Sequence, residues 1–333
     1  MGSYFPKALV YKEWRETHGW FIGAGLFILS EPLLRLLVLG LGLVEGQNEP
    51  GLRAMAWNAF ASYLTDVVTR MHSDGTTGFL AILAVMVVAE VQVAQERSQG
   101  RLLGVLMGPV TRADLLRVKF VLGAAWLFAL IVVFTLIVTV SGAFAPERPS
   151  PATLAAFALD ELALLAAFYG MAFLVACVVT GAFPVLIITA ILVDAPIWLP
   201  NLVAFNSSPN QPQQWPGVVA HISPWSWLNA PVPIPWLAVL WLFFLAAFGY
   251  WAGQRAFARV HAEHFQDLFG LPVIWRLVPW VVSLALGLIP AAMASRHLNE
   301  TRWFPLVWLV LACVLYAGLR GVMWVIFRNL DND

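Results

Sequence analysis

The chain has 333 residues, of which 60% are hydrophobic and 11% charged, with 19 cations balanced by 19 anions and a mean hydropathy of +0.78. A soluble globular domain carries roughly a quarter charged residues, so the composition excludes one, and a net charge of zero gives no footing for a nucleic-acid partner. The two cysteines, Cys177 and Cys313, both lie in apolar runs, which excludes a disulfide framework or a zinc site built on cysteine spacing.

Apolar runs of this length cross a hydrocarbon layer of about 30 Å as helices. The pattern predicts an all-α polytopic membrane protein of about eight transmembrane helices, at 20–44, 78–95, 117–143, 153–179, 182–200, 236–254, 273–293 and 304–326. Ahead of the first span, residues 4–20 read YFPKALVYKEWRETHGW, with apolar Phe5, Leu9 and Trp14 interleaved with Lys12, Glu13 and Arg15. That pattern fits, imperfectly, a helix lying in the membrane interface. The first span is too long for a cleavable signal and reads as retained. Glu31 and Arg35 lie one helical turn apart within it, so they share a face and either neutralise each other or line a path through the membrane. Residues 45–77 are polar with scattered aromatics (Trp57, Phe60, Tyr63), enough for a short amphipathic element outside.

After the second span, with Glu90 near its inner end, comes ERSQGRLLGVLMGPVTRADLLRVK, residues 96–119. The segment is too polar for lipid and too ordered for a plain connection. Gln92 to Met107 can continue as a helix until Gly108-Pro109 breaks it. Thr111 is placed to cap a second helix, with Asp114 in the acidic position that favours a helix N-terminus. The expectation is a helical hairpin over 92–116 with its corner at Pro109. Leu102, Leu103 and Leu106, flanked by Arg101 and Arg112, form an apolar stripe that suits either a protein interface or an anionic headgroup surface.

Gly181 and Pro184 punctuate the fourth and fifth spans as a tight turn. Asp160 and Glu161 lie near the start of the fourth span and are expected to reach outer water. Asp194 faces either a cavity or the outer boundary, at the irregular end of the fifth. Residues 196–235 combine nine prolines with several tryptophans and almost no charge, which predicts a folded outer cap, a shallow re-entrant element or a loose Pro-rich loop. Within it His221, Ser223 and Ser226 have no carboxylate arranged for a hydrolytic triad. His261, Glu263, His264 and Asp267 lack the spacing of a zinc-protease helix and read as a solvated turn.

Lysine and arginine near span ends stay on the cytoplasmic side. With the N-terminus inside, that side receives thirteen of them, against Arg53, Arg70, Arg148, Arg296 and Arg302 outside. Both termini, and the 96–119 segment, are therefore expected in the cytosol.

The order Glu96, Gly100, Leu102, Leu106, Pro109, Val110, Thr111, Arg112, Leu115, Lys119 resembles the cytoplasmic signature of ABC-2 type transporter permeases, E-x-x-x-G-T-L-x-x-L-L-x-x-P-V-[ST]-R-x-x-I-L-x-x-K. The sequence departs from it at Arg101, Val105, Leu103 and Gly104. The resemblance implies an elbow helix over 1–19, a six-span transmembrane core over 20–254 and two additional spans with a tail over 255–333. It implies that Glu96, Gly100, Arg101, Leu102, Leu106, Pro109, Thr111, Arg112 and Lys119 couple to ATP-binding-cassette ATPase subunits. It also implies a second permease copy or a similar permease, and a pathway between the first, second and fifth spans. Glu31, Arg35 and Asp194 are the candidates for the substrate path. No G-x-x-x-x-G-K-[ST] loop and no Gly-Lys pair occurs in the sequence, so ATP and Mg are expected on the partner and no cofactor on this chain. The chain itself is expected to be no enzyme. The resulting expectation is a plasma-membrane exporter subunit for an amphipathic or apolar compound. The rivals are a membrane-embedded enzyme on a lipid substrate and a non-transporting sensory or scaffold subunit.

Overall fold

The computed structural model describes residues 7–45, 50–69, 75–101, 105, 110–143, 149–193, 223–228, 230–260, 283, 306, 309–318 and 320. Among these the fold is helical and contains no β-strand. In chain order the helices are α1 (Lys7–Glu45), α2 (Pro50–Thr69), α3 (Gly75–Glu90), α4 (Arg112–Gly142), α5 (Pro151–Val178), α6 (Ala182–Val193), α7 (Trp236–Ala258) and α8 (Leu309–Gly318). Among the described residues four stretches are long and apolar enough to cross a membrane: Gly78–Ser98, Arg112–Gly142, Pro151–Ala176 and Trp236–Ala258. A fifth candidate is α1, whose two parts, Lys7–Ser30 and Pro32–Gly42, meet at 41°.

The bend belongs to Pro32, which lacks the amide donor a helix interior needs. The chain is helical straight through residues 19 and 20, so the expected division between an elbow and a first span is not marked by a break there. Leu9, Glu13, Thr17, Phe21, Gly25 and Leu29 are the buried positions of its first part. Their four-residue spacing makes a single ridge that packs on the bundle. Residues 50–69 form a twenty-residue helix, longer than the short element expected, which seats Phe60 and Leu64 against Val138 of α4 and Phe157 of α5.

Local signals set several helix ends. Thr111 caps α4 as its sequence predicts, its hydroxyl accepting the Asp114 amide at 3.1 Å. Ser150 caps α5 in the same way, through Thr153 N–H at 3.1 Å, with Pro151 at the first helical position, where a missing donor costs nothing. Gly181 takes φ +89, a left-handed conformation open to glycine at little cost, and turns the chain from α5 into α6.

Helices α3 and α5 form the interior, whereas α1, α4 and α7 turn large apolar side chains outward: Leu34 is 63% exposed, Leu136 63% and Trp236 68%. Apolar faces of that extent are foreign to a water-soluble bundle and suit hydrocarbon. The most extensive contact is α5 with α7. A Cβ on Gly170 would lie 2.6 Å from the backbone of Ala246, and one on Gly249 would overlap the Gly170 carbonyl. Small residues thus let the two backbones touch. Because Gly170 meets Ala246 and Gly249 while Cys177 meets Gly253, the two helices run parallel.

Parallel neighbours require the chain between them to return. The described part of that return is α6, whose twelve residues rise about 18 Å. At its end the Val193 carbonyl accepts the Ser223 hydroxyl at 2.8 Å. The 3-10 turn Pro224–Trp227 then places Trp225 edge-on against Phe168 (5.0 Å) and stacked on Phe79 (6.2 Å). Phe168 lies seventeen residues into α5, about 25 Å along its axis. The described part of 196–235 is thus packed against α5 and α3, with Trp227, Leu228 and Ile234 buried.

Asp160 does not reach outer water as expected; it and Glu161 are buried. The reason lies in the run Pro231, Pro233, Pro235, which leaves Ile234 and Val232 as the amides between them. The Asp160 carboxylate accepts the Ile234 amide at 2.9 Å. Asp160→Ala should leave that donor unsatisfied and lower stability by about 1–3 kcal/mol. Asp160→Asn, which retains an acceptor oxygen, should lose less, as read by thermal unfolding in detergent.

Of the other expected spans, 273–293 lies outside the described residues except Ser283, and 304–326 is represented by the ten-residue α8.

Candidate functional site

At the end of α3 the helix widens. Val91–Gln95 form one π turn, and Glu96–Ser98 resume the α form. A π turn inserts one residue into the helical repeat and re-aims the side chains that follow. Here Glu90, Gln92, Glu96 and Arg97 are all buried around it. Gln99 and Gly100 then close the helix, with Gly100 at φ +69 and its amide bonded to the Arg97 carbonyl at 3.0 Å. The leg expected to continue to Met107 is thus interrupted at Gly100, where a left-handed residue ends a helix readily. Leu102, Leu106 and Pro109, including the expected corner, lie outside the described residues.

The second leg begins at Thr111, and two turns into α4 comes Lys119, fully buried. Its ammonium contacts Glu96 Oε1 at 2.7 Å and also Glu13 Oε2 of α1. Glu13 is 1% exposed and also meets Lys12 at 3.2 Å; Lys12 reaches Glu16 at 2.7 Å. The surrounding bonds fix the geometry. Gln92 Nε2 donates to the Lys119 carbonyl at 3.1 Å, and the Tyr169 hydroxyl of α5 donates to Gln92 Oε1 at 2.6 Å. Gly123 makes this reach possible, because a Cβ there would overlap the Tyr169 hydroxyl.

Two arginines complete the arrangement. Arg97, fully buried, donates to the Ala176 carbonyl at 3.3 Å, in the last turn of α5. Arg112 donates to the Val260 carbonyl at 2.7 Å and to Ala258 at 3.5 Å, just where α7 ends. The last carbonyls of a helix have no partner within it and carry its negative dipole end, so cations belong there. The root of the hairpin is therefore fastened to three other helices: to α1 through Glu13, to α5 through Arg97 and to α7 through Arg112. Removing the Arg112 side chain should expose the final carbonyls of α7, and Arg112→Ala is expected to speed amide exchange in its last turn.

The motif residues divide by position. Glu96 and Lys119 point into the bundle and bond each other; Arg112 is half-buried on α7; Thr111 is spent on its cap; Gly100 shapes the turn; Arg101 is exposed. Elsewhere, Arg35 lies over the Tyr63 ring of α2 at 5.6 Å, the side chain of Glu31 and all of Asp194 lie outside the described residues, and so does the His261–His264 segment. Sequence reasoning missed Glu13, Gln92 and Tyr169 as parts of the site. For Glu13 a signal was present, a carboxylate within the four-residue ridge of α1; for Tyr169 there was none, since it is one aromatic among many.

Compared with protein-family profiles, curated protein sequences and solved structures, the chain finds no match.

Proposed function

We propose that the chain is the membrane-embedded transport subunit of an ATP-driven pump whose ATPase is a separate polypeptide, and that the hairpin rooted at Glu96 and Lys119 receives the ATPase's movement. The observation that carries this reading is the fastening of that root to α1 and α5 by buried charges and to α7 by the half-buried Arg112. A flexible connection would absorb a push from outside the membrane. A root bonded to three helices passes it on, because breaking a buried charge contact is costly. The signature resemblance supplies the partner class, ATP-binding-cassette subunits, which bring ATP and Mg. Two copies, or this chain and a similar one, form the pathway, and the chain lies in the plasma membrane with both termini in the cytosol. The cargo is an amphipathic or apolar compound moved outward, in keeping with the scarcity of charge across the chain.

In this reading Glu96 and Lys119 act inside the subunit, and contact with the ATPase falls to the hairpin beyond Arg101. The test is reconstitution with the co-purified ATPase. In Arg112→Ala, cargo flux should fall roughly tenfold, the effect of one charge-assisted bond, while ATP hydrolysis persists. Unchanged flux would overturn the coupling role. Substrate turnover without nucleotide would instead make the chain an enzyme, and hydrolysis without flux in the unaltered protein a scaffold.

A further inference from the structure

Beside the buried ion cluster, between α1 and the root of the hairpin, lies a cleft of about 160 Å³ lined by Glu16, Trp20, Gln95, Glu96, Gln99 and Arg101. We propose that this cleft seats the headgroup of an aminophospholipid, its ammonium against Glu96 and Glu16 and its phosphate toward Arg101.

Four observations carry the assignment. The first is an acceptor in want of a donor. The Glu96 side chain is 9% exposed; its Oε1 is held by Lys119, and its Oε2 is buried with no hydrogen-bond partner among the described residues. A buried charged acceptor left so is costly, and an ammonium brings three donors. The second is charge. Glu13, Glu16 and Glu96 bring carboxylate oxygens within 4.8 Å of one another, against the ammoniums of Lys12 and Lys119. Counted without Arg101, three carboxylates face two ammoniums. Third, opposite charge stands at the same cleft: Arg101 is exposed, and the Gln95 and Gln99 side chains add amide donors for phosphate oxygens. Fourth comes depth. The candidate span Gly78–Ser98 ends within the cleft, and Trp20, 47% exposed, is the residue type that favours headgroup level.

Other occupants fit less well. A divalent cation that left the lysines in place would find one oxygen each on Glu16 and Glu96, too few for its shell, and would leave Arg101 unanswered. A choline headgroup has no N–H to give Glu96. A purely anionic headgroup would face the carboxylates.

The assignment needs membrane embedding and no ATPase, so a failure of energy coupling would leave it standing. The full-length protein, returned to nanodiscs of equimolar phosphatidylethanolamine and phosphatidylcholine and then released into native mass spectrometry, gives the test. One phosphatidylethanolamine should be retained per chain, with a preference of roughly tenfold over phosphatidylcholine. That preference should fall towards unity in Glu16→Gln and in Arg101→Ala, both altered at exposed or half-exposed positions that the fold tolerates. Equal retention of the two lipids by the unaltered protein would overturn the assignment, as would an undiminished preference in both variants. Binding of free phosphoethanolamine at this cleft in lipid lacking ethanolamine, with no ethanolamine lipid retained in the mixed discs, would give the cleft to a soluble amine phosphate and overturn the lipid.

Discussion

Replacing Lys119 by methionine is expected to lower stability by about 3–5 kcal/mol, the cost of breaking a buried ion pair by removing one partner. The lysine is fully buried between Glu13 and Glu96, so its loss leaves two carboxylates facing each other away from water. Methionine fills much the same volume, which separates the charge effect from a packing effect. The companion variant Glu13→Gln/Glu96→Gln/Lys119→Met should recover most of the loss, because a neutral cluster carries no uncompensated charge. Thermal unfolding in detergent, monitored together with elution as a single species, reads both. A single Lys119→Met variant as stable as the unaltered protein would show that the three groups do not form one electrostatic unit. If the triple variant is stable but no longer couples hydrolysis to flux, the charges serve transmission beyond stability.

The second large effect belongs to the α5–α7 contact. Gly249→Leu should prevent the two helices from closing and abolish a cooperative unfolding transition. Gly249→Ala should cost about 1–3 kcal/mol through overpacking. A Cβ at Gly249 would overlap the carbonyl of Gly170, and backbone, unlike the end of a side chain, cannot swing aside. Gly19→Ala is the control: a Cβ there meets nothing within 4 Å, so the helix gains about 0.5–1 kcal/mol from losing a glycine. Equal melting temperatures for Gly249→Leu and Gly19→Ala would mean that α5 and α7 do not touch through these residues. Because α7 carries at its end the carbonyls that Arg112 holds, separation of α7 from α5 should also release the hairpin.

The hairpin shows how differently local and distant interactions can be read. Thr111 and Asp114 are three residues apart, and the cap they form needs nothing else, so it was legible. The same holds for Gly181, whose left-handed backbone is a property of glycine, and for four of the apolar stretches, whose length alone suits a bilayer. The break at Gly100 was harder, because a lone glycine in an otherwise regular run either ends a helix or is tolerated, depending on what the next turn packs against. The far part of the fifth span, 194–200, lies outside the described residues; its described part is α6, whose Val193 carbonyl accepts the Ser223 hydroxyl.

Sequence by itself determined that this is a chain of apolar helices with a polar segment between two of them, since hydropathy, caps and breakers act over a few residues. Tertiary structure alone decided which way that segment's charges face. Lys119 finds Glu13 across 106 residues, Arg97 finds Ala176 across 79, and Arg112 finds Val260 across 148. A charged side chain is drawn inward only where a partner offsets the loss of water, and no stretch of the hairpin's own sequence names those partners.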